Sequence, residues 1–394
     1  MNTRYPLATS SWDDKEINAI HQVIAKDWYT MGPAVAAYER QFADYFGARH
    51  CVMTSSGSTA NLLMVAAAFF TKDPLLQRGD EVIVPAVSWS TTYFPLQQYG
   101  LKLVFCDIDK DTLNIDLDQL QAVVSDRTKA IMLVNLLGNP VDMERINEII
   151  GNRRDIVIFE DNCESMGASF DGHFTGTFGL MGTFSSFFSH HISTMEGGCV
   201  LTDSDEVYHI LLALRAHGWT RNLPQTNTLT GVKSSDPFEE SFKFVLPGYN
   251  VRPLEMSGAI GSVQLSKLPK FLETRRANAR EFQALFDHHP HIAIQREVGE
   301  SSWFGFALTI KPGAPFDRAT LLLALREAGI ESRPVVTGNF LKNKEVLRHF
   351  DFVVAPGGVP NAEYLDAHSL FVGNHQIPLK EELQLLRGTI DTLG

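Results

Sequence analysis

The sequence is poor in cysteine, and its four cysteines are far apart. Cys51, Cys106, Cys163 and Cys199 form no Cys-x-x-Cys pair among the 394 residues. Neither a zinc site nor a disulfide framework is therefore predicted. Three of the four lie in or beside apolar, strand-like runs, where we expect them to act as small buried hydrophobic residues.

The sequence also lacks long hydrophobic runs and an excess of positive charge. Residues 62–70 form the longest apolar run, which is too short to span a bilayer, and residues 1–14 lack the pattern of a signal peptide. A cytoplasmic protein with no membrane association is expected. The formal net charge of -12 disfavours non-specific nucleic-acid binding, because neutralising phosphates requires a basic face.

Short apolar runs alternate with longer amphipathic ones in the first half of the chain. The apolar runs are rich in Val and Ile, and they predict buried strands at residues 51–53, 81–85, 103–106, 130–134 and 156–159. Helical spacing occurs at residues 61–70, 117–124 and 143–150. This order predicts an α/β fold, with a mainly parallel sheet and helices on both faces. A change of pattern near residue 250 predicts a large domain over residues 1–250 and a smaller α+β domain over residues 251–394.

The first chemical element follows the first predicted strand and opens a helix. Residues 55–61 read Ser-Ser-Gly-Ser-Thr-Ala-Asn, and Gly57 and Ser58 lie where the backbone amides of a helix N-terminus can bind an anion. A phosphate is the expected ligand, and a Ser/Thr N-cap without a ligand is the alternative. The segment is not a Walker motif, because the lysine of that motif is missing.

The second element lies just beyond the most apolar predicted strand, where Asp161 and Glu164 follow residues 156–159. Functional side chains gather beyond the carboxyl ends of parallel strands. A carboxylate at Asp161 facing a pyridinium nitrogen would keep that nitrogen protonated and make the ring an electron sink. An N-cap for the next helix is the other interpretation.

The third element is the run Phe-Ser-Ser-Phe-Phe-Ser-His-His-Ile-Ser-Thr-Met-Glu-Gly-Gly at residues 184–198. Together with the phosphate loop, Trp89 and Asp161, this run resembles the DegT/DnrJ/EryC1/StrS family of sugar aminotransferases and dehydratases, which are fold-type I pyridoxal-phosphate enzymes. The resemblance extends over nearly the whole chain, from residues 30–33 to residues 248–252 and beyond. Counting back from Glu196, the lysine that carries the cofactor in this family falls at His190.

The resemblance implies a cofactor site and a shared dimer. The implied cofactors are pyridoxamine 5′-phosphate and pyridoxal 5′-phosphate, held without a covalent bond. The implied cofactor-binding residues are Gly57, Ser58 and Ser185 for the phosphate, and Trp89, Asp161 and Glu164 for the ring. Glu164 departs from the glutamine that many family members have. Asn250 matches a residue that reaches the phosphate of the neighbouring subunit, which implies a homodimer with shared active sites.

Three segments narrow the resemblance to dehydratases within the family. Residues 161–167, 189–198 and 217–224 are similar to those of the 3-dehydratases that lead to GDP-L-colitose, a sugar of the lipopolysaccharide O-antigen. The implied substrate is GDP-4-keto-6-deoxy-D-mannose, which would lose its C3 hydroxyl with release of ammonia, and L-glutamate would restore the amine. The candidate substrate contacts are Ser189, His217, Arg221 and Arg252, although basic loop residues are more often solvated or paired.

His190 is the predicted catalytic residue. An imidazole can remove and return a proton near neutral pH, but it cannot form the Schiff base that a lysine forms. An ordinary sugar aminotransferase would need a lysine at this position. A related CDP-sugar dehydratase works with an iron-sulfur cluster, which the cysteine spacing does not support, and no other metal is predicted. Two alternatives stay open: an enzyme for another nucleotide-linked 4-keto-6-deoxy sugar, and a non-catalytic sensor that binds the cofactor.

Overall fold

The computed structural model describes residues 3–394. The helices are α1 Asp14–Ala25, α2 Pro33–Phe46, α3 Gly57–Ala67, α4 Ser90–Gln98, α5 Leu117–Val123, α6 Met143–Ile150, α7 Asp205–Arg215, α8 Pro237–Ser241, α9 Glu255–Phe286, α10 Arg318–Glu327, α11 Lys344–Leu347, α12 Pro360–His368 and α13 Lys380–Asp391. The strands are β1 His50–Thr54, β2 Glu81–Pro85, β3 Lys102–Cys106, β4 Thr128–Val134, β5 Val157–Asp161, β6 Ser169–Phe170, β7 His173–Phe174, β8 Met181–Ser185, β9 Gly198–Thr202, β10 Thr226–Asn227, β11 Gly231–Val232, β12 Ile292–Ile294, β13 Gly305–Ile310, β14 Phe352–Val354 and β15 Ser369–Gly373. Among the described residues, every helix is too short or too polar to cross a membrane.

The main sheet confirms the predicted fold class. Within residues 3–394 it has eight strands in the order β1-β9-β8-β5-β4-β2-β3-β14. Strand β9 runs antiparallel to both of its neighbours, whereas the pairs from β8 to β14 are parallel. The sequence-predicted strands correspond to β1 to β5. Parallel strands of this kind place their carboxyl ends at one edge, where the chemical motifs are expected to meet.

Alternate side chains of the central strands face opposite layers of helices. Val82 and Val84 pack in a core with α3, α4 and α7, while Ile83 and Ile131 pack in another with α5 and α6. This alternation follows from the two-residue period of a strand. Since both faces are covered by helices, the strands are apolar almost throughout, as their sequences indicate.

Helix α3 begins at Gly57, four residues before the start that its apolar spacing predicts. The reason is a capping box that the spacing does not reveal. The Ser56 hydroxyl accepts a hydrogen bond from the Thr59 amide at 3.2 Å, and the Thr59 hydroxyl accepts one from the Ser56 amide at 3.0 Å. The helix N-terminus therefore lies at the strand end, next to the other motifs.

The C-terminal part forms a second core around the sheet β12-β13-β15, with α10 and α13 packed on it. Two segments cross the division at residue 250. Strand β14 pairs in parallel with β3 of the main sheet, and Tyr5, near the N-terminus, is buried in the C-terminal core. The boundary at residue 250 stays a prediction, and these two crossings tie the two parts of the chain together.

Candidate active site

The loops that follow β1, β2, β5 and β8 surround a cavity of about 460 Å³. Eight residues that the sequence singles out lie in its wall: Gly57, Ser58, Trp89, Asp161, Glu164, Ser185, Ser189 and His190. They come from segments far apart in the sequence. The topology of the sheet brings them together, because the strands that carry them end at the same edge.

One end of the cavity is the N-terminus of α3. The first-turn amides of Gly57 and Ser58 precede the first residue that can bond within the helix, so they are free to bind an anion. A Cβ atom at Gly57 would come within 2.6 Å of Ser185 Cβ and 2.9 Å of Cys163 Sγ. Glycine at this position therefore allows the Ser185 hydroxyl to lie against the helix end.

Replacing Gly57 with alanine is expected to weaken cofactor binding and to lower the free energy of unfolding by about 1–3 kcal/mol, because the added methyl group overpacks the site. Cofactor titration and chemical denaturation would measure the two effects. Gly388→Ala is the matched control, since a Cβ atom at Gly388 meets nothing within 4 Å. Unchanged cofactor affinity in Gly57→Ala would contradict this account of the cradle.

Asp161 is buried and held in one orientation by three donors. Its Oδ2 atom accepts hydrogen bonds from Asn61 Nδ2 at 2.8 Å and from Thr92 Oγ1 at 2.7 Å, and its Oδ1 atom accepts one from the Cys163 amide at 3.1 Å. The Thr183 hydroxyl donates to Asn61 Oδ1 at 2.6 Å and thereby fixes that amide. Neutral donors surround the carboxylate, so its negative charge is left for a cationic partner in the cavity.

Trp89 is not a core tryptophan. It is 56% exposed, lies directly before α4 and lines the cavity. Its indole ring thus offers a flat apolar surface to a ligand.

His190 has a defined tautomer. Its Nδ1 atom lies 2.6 Å from the carbonyl oxygen of Cys163. Since a carbonyl oxygen only accepts hydrogen bonds, Nδ1 carries the proton and Nε2 keeps the lone pair of the neutral ring. The ring packs edge-on against Phe304 and Phe187, with centroids 5.1 and 6.0 Å away. This packing and the Nδ1 contact together hold Nε2 as a proton acceptor.

Burial also makes His190 a neutral base. Burial lowers the pKa of His190 to about 4, and the positive charges of Arg333 and Arg275 lower it further. The hydrogen bond to Cys163 acts in the opposite direction. The imidazole is therefore uncharged near neutral pH. Once it has accepted a proton, the same environment makes it a strong acid.

Glu164 lines the same cavity as His190 and directly follows Cys163, whose carbonyl His190 contacts. Its Oε2 atom accepts a hydrogen bond from the Leu137 amide at 3.1 Å. Burial raises the pKa of Glu164 to about 7, although Arg333 and the Leu137 amide favour its charged form. Glu164 can therefore hold or release a proton at neutral pH, which a glutamine at this position could not do.

Four of the predicted residues do not line this cavity: His217, Arg221, Asn250 and Arg252. They belong to the segment from residue 217 to residue 252. Arg252 Nε donates to Asn250 Oδ1 at 2.9 Å, and Arg221 stacks on Trp219 at 4.7 Å. Their roles toward substrate and cofactor stay predictions.

The structure adds residues that the sequence reasoning missed. Asn61 and Thr92 fix Asp161, and Arg333 and Val336 extend from the C-terminal part into the cavity wall. The polar segments around Asn61 and Thr92 are the sequence feature that could have identified these two residues. No local pattern distinguishes Arg333 from other arginines of the chain.

The side chains present fit a phosphorylated pyridoxal or pyridoxamine. The α3 amides and the Ser185 hydroxyl suit a phosphate, Trp89 offers a face for a ring, and Asp161 is a buried carboxylate for a ring cation. Residues 184–198 contain no lysine, so no covalent anchor is available at this segment.

Residues 10–376 match the DegT/DnrJ/EryC1/StrS aminotransferase family. The chain belongs to this family. The match spans β1 to β15 and includes every residue that lines the cavity.

Individual relatives agree with the dehydratase branch. The chain is 66% identical over 382 residues to a GDP-4-keto-6-deoxy-D-mannose 3-dehydratase of Yersinia pseudotuberculosis, and the match covers 97% of each chain. It is 62% identical to a crystallised variant of GDP-4-keto-6-deoxymannose-3-dehydratase with bound GDP-perosamine, with a TM-score of 0.97 over 98% of this chain and 100% of that one. A structure of the same enzyme with a trapped PLP-glutamate geminal diamine has the same identity, TM-score and coverage.

Proposed function

We propose that this protein is a GDP-4-keto-6-deoxy-D-mannose 3-dehydratase that works with pyridoxamine 5′-phosphate. The observation that carries the proposal is His190. The resemblance places it at the position of the family's lysine, and its Nδ1 contact to the Cys163 carbonyl leaves Nε2 as a base. The site retains the residues suited to the phosphate and the ring of the cofactor, but it has an imidazole where a lysine would form a covalent bond. Such a site suits proton transfer without transamination of the sugar.

The cofactor supplies the amine that joins the C4 ketone of the sugar and a ring that accepts electrons. With Nε2, His190 would accept the proton from the cofactor carbon that carries the amine, and it would return that proton to the C3 hydroxyl as this group leaves. One residue suffices for both steps, because its environment makes it neutral at rest and strongly acidic once protonated. Asp161, held by Asn61 and Thr92, stabilises positive charge on the ring nitrogen.

Atoms and electrons balance over the two half-reactions. The sugar exchanges its C3 hydroxyl for hydrogen, so it loses one oxygen atom. The amine leaves as ammonia, and L-glutamate replaces it while becoming 2-oxoglutarate, which contains the additional oxygen. The product is a 3,6-dideoxy-4-keto sugar nucleotide, consistent with a cytoplasmic route to GDP-L-colitose and the O-antigen.

A homodimer with shared sites is part of this proposal. Exposed aromatic side chains at Phe238, Phe242 and Phe244 lie on the same segment as Asn250. Contiguous exposed apolar groups mark interaction surfaces.

Light scattering should give the mass of a dimer. Mixing His190→Asn with Asn250→Ala subunits should restore activity, because one site of the mixed dimer then carries neither substitution.

The proposed reaction is tested with purified protein, the GDP-sugar, pyridoxal phosphate and L-glutamate. Ammonia, 2-oxoglutarate and a 3-deoxy sugar nucleotide should form in equal amounts. A 4-amino sugar would identify an aminotransferase instead, and turnover only with a different nucleotide sugar would assign another substrate. Cofactor binding without any turnover would favour the sensor.

The titration of Glu164 should make the rate of dehydration depend on pH. Its pKa of about 7 means that the neutral acid predominates below this pH and the carboxylate above it. The added negative charge stabilises the His190 imidazolium, so it becomes a weaker acid toward the leaving hydroxyl. The single-turnover rate should therefore fall as the pH rises through about 7, and Glu164→Gln should remove this step. The same step in Glu164→Gln would assign the titration to another group.

A further inference from the structure

Arg275 is a buried arginine on α9 with no acidic partner. Its side chain is 3% exposed, and among the residues that the structure describes no carboxylate lies within ion-pair distance of it. Its Nε atom has no hydrogen-bond partner within residues 3–394 either. Burial lowers the pKa of Arg275 to about 10, because a charge without a counter-charge is disfavoured away from water. An ion pair therefore does not explain this arginine.

The Arg275 guanidinium holds a strained turn. Its Nη1 atom donates to the carbonyl oxygens of Asn374, Phe304 and Trp303, at 2.8, 3.2 and 3.4 Å. Trp303 has a φ of +47°, which residues other than glycine rarely adopt and which persists only where the surroundings enforce it. The Asn374 side-chain amide donates to the same Trp303 carbonyl at 2.9 Å. Arg275 and Asn374 together therefore fix the backbone at Trp303 and Phe304.

This turn contacts two groups of the active site. The Phe304 ring packs edge-on against the His190 ring, with centroids 5.1 Å apart. The Phe304 amide donates to the Leu137 carbonyl at 2.9 Å, and the Leu137 amide donates to Glu164 at 3.1 Å. A displacement of the turn would therefore move the imidazole and the carboxylate relative to each other.

We propose that Arg275 is a positioning residue, which holds the Phe304 ring against His190 and thereby fixes the imidazole for both of its proton transfers. The proposal rests on the proposed function, in which His190 carries the protons. Arg275 itself does not line the cavity. Proton transfer depends steeply on the placement of the reacting groups, so loss of this support slows the reaction even where the ligands still bind.

The charge of Arg275 also acts on His190. Burial is the main cause of the lowered pKa of His190, and the positive charges of Arg333 and Arg275 lower it further. A substitution at position 275 changes none of the other titratable side chains around His190, so a shift in its titration reports the loss of the Arg275 charge. Those other side chains belong to the cavity wall and to the next residue of the chain: Asp161, Cys163, Glu164, Glu196 and His191.

The variants are Arg275→Met and Arg275→Lys, with Arg276→Met as the control. Methionine fills part of the space without the charge or the donors, whereas lysine keeps the charge and loses the planar fork of donors. Arg276 is the next residue of α9. It pairs with Glu300 at 2.9 Å and donates to two backbone carbonyls, neither of which belongs to residue 303 or 304.

In protein loaded with pyridoxamine phosphate, Arg275→Met should slow a single round of dehydration roughly 10- to 100-fold, with little change in the substrate concentration for half-maximal rate. Arg275→Lys should recover part of this loss. Nuclear magnetic resonance of labelled histidine, with the His190 signal assigned from His190→Asn, follows the titration without any turnover. The pKa of His190 should be higher in Arg275→Met than in the wild type, and it should be unchanged in Arg275→Lys and Arg276→Met.

Equal rates for Arg275→Met and Arg276→Met would overturn the proposal. So would a loss of rate that only follows the loss of folded protein, with the His190 titration unmoved, because a purely structural residue behaves in that way. If Arg275→Met does not fold, Phe304→Leu decides: a rate roughly 10-fold lower supports the proposal, and the wild-type rate contradicts it. Failure of the wild type to dehydrate the sugar contradicts the proposed function instead, and the titration still tests the effect of Arg275 on His190.

Discussion

His190→Asn should lower the rate of C3 deoxygenation by about 10⁴-fold, the upper end of the range for general acid-base catalysis, because one group carries both proton transfers. Asparagine is the informative replacement. Its side-chain amide can still donate to the Cys163 carbonyl, which His190 Nδ1 contacts at 2.6 Å, while the base at Nε2 is lost. Cofactor binding should therefore remain close to that of the wild type. Single-turnover kinetics with pyridoxamine phosphate would measure the effect.

His191→Asn is the control for this substitution, because His191 is buried beside His190 and is absent from the cavity wall. Its Nε2 atom lies 3.1 Å from the Ser302 carbonyl, so its loss should affect stability more than the rate of the folded protein. A His190→Asn protein that retains a substantial rate would show that another group moves the protons.

Asp161→Asn should lower turnover by about 10²- to 10³-fold, because a neutral amide cannot stabilise the ring cation. It should also destabilise the fold by about 1–3 kcal/mol. The new NH₂ group replaces one of the two carboxylate oxygens. At the Oδ2 position it would face the donor Asn61 Nδ2, and at the Oδ1 position it would face the Cys163 amide, so one donor loses its acceptor in either orientation. Turnover assays and denaturation would separate the two losses.

Asp155→Asn provides the comparison, since Asp155 is an exposed carboxylate paired with Arg153 and Lys129 far from the cavity. It should leave turnover unchanged. The N-cap role that the sequence also allowed is wrong, because β6 and not a helix follows β5. If Asp161→Asn and Asp155→Asn had the same turnover, Asp161 would serve only to accept hydrogen bonds from Asn61, Thr92 and Cys163.

The fold and the part of the site that follows β1, β5 and β8 could be predicted from the sequence because their signals are local. Apolar runs mark the strands, and Gly57, Asp161 and His190 lie within a few residues of strand ends. Parallel topology then brings those ends to one edge. The predicted start of α3 was four residues too late, because the capping box of Ser56 and Thr59 lies outside the apolar pattern.

The rest of the site depends on tertiary contacts. Asn61 and Thr92 meet Asp161 only because α3 and α4 pack side by side on the sheet, 100 and 69 residues away from it in sequence. Arg333 enters from the C-terminal part, where the sequence contains no chemical motif. Asn250 lies outside its own cavity, so its predicted role requires a second subunit.

The central claim is that residue 190 carries protons and does not anchor the cofactor covalently. The visible spectrum of His190→Lys with pyridoxal phosphate tests this claim most directly. The lysine should give the absorbance of a Schiff base, which wild-type protein lacks, and C3 deoxygenation should be lost. An unchanged spectrum with unchanged deoxygenation would show that residue 190 is not the lysine position of the family, and the account would be wrong.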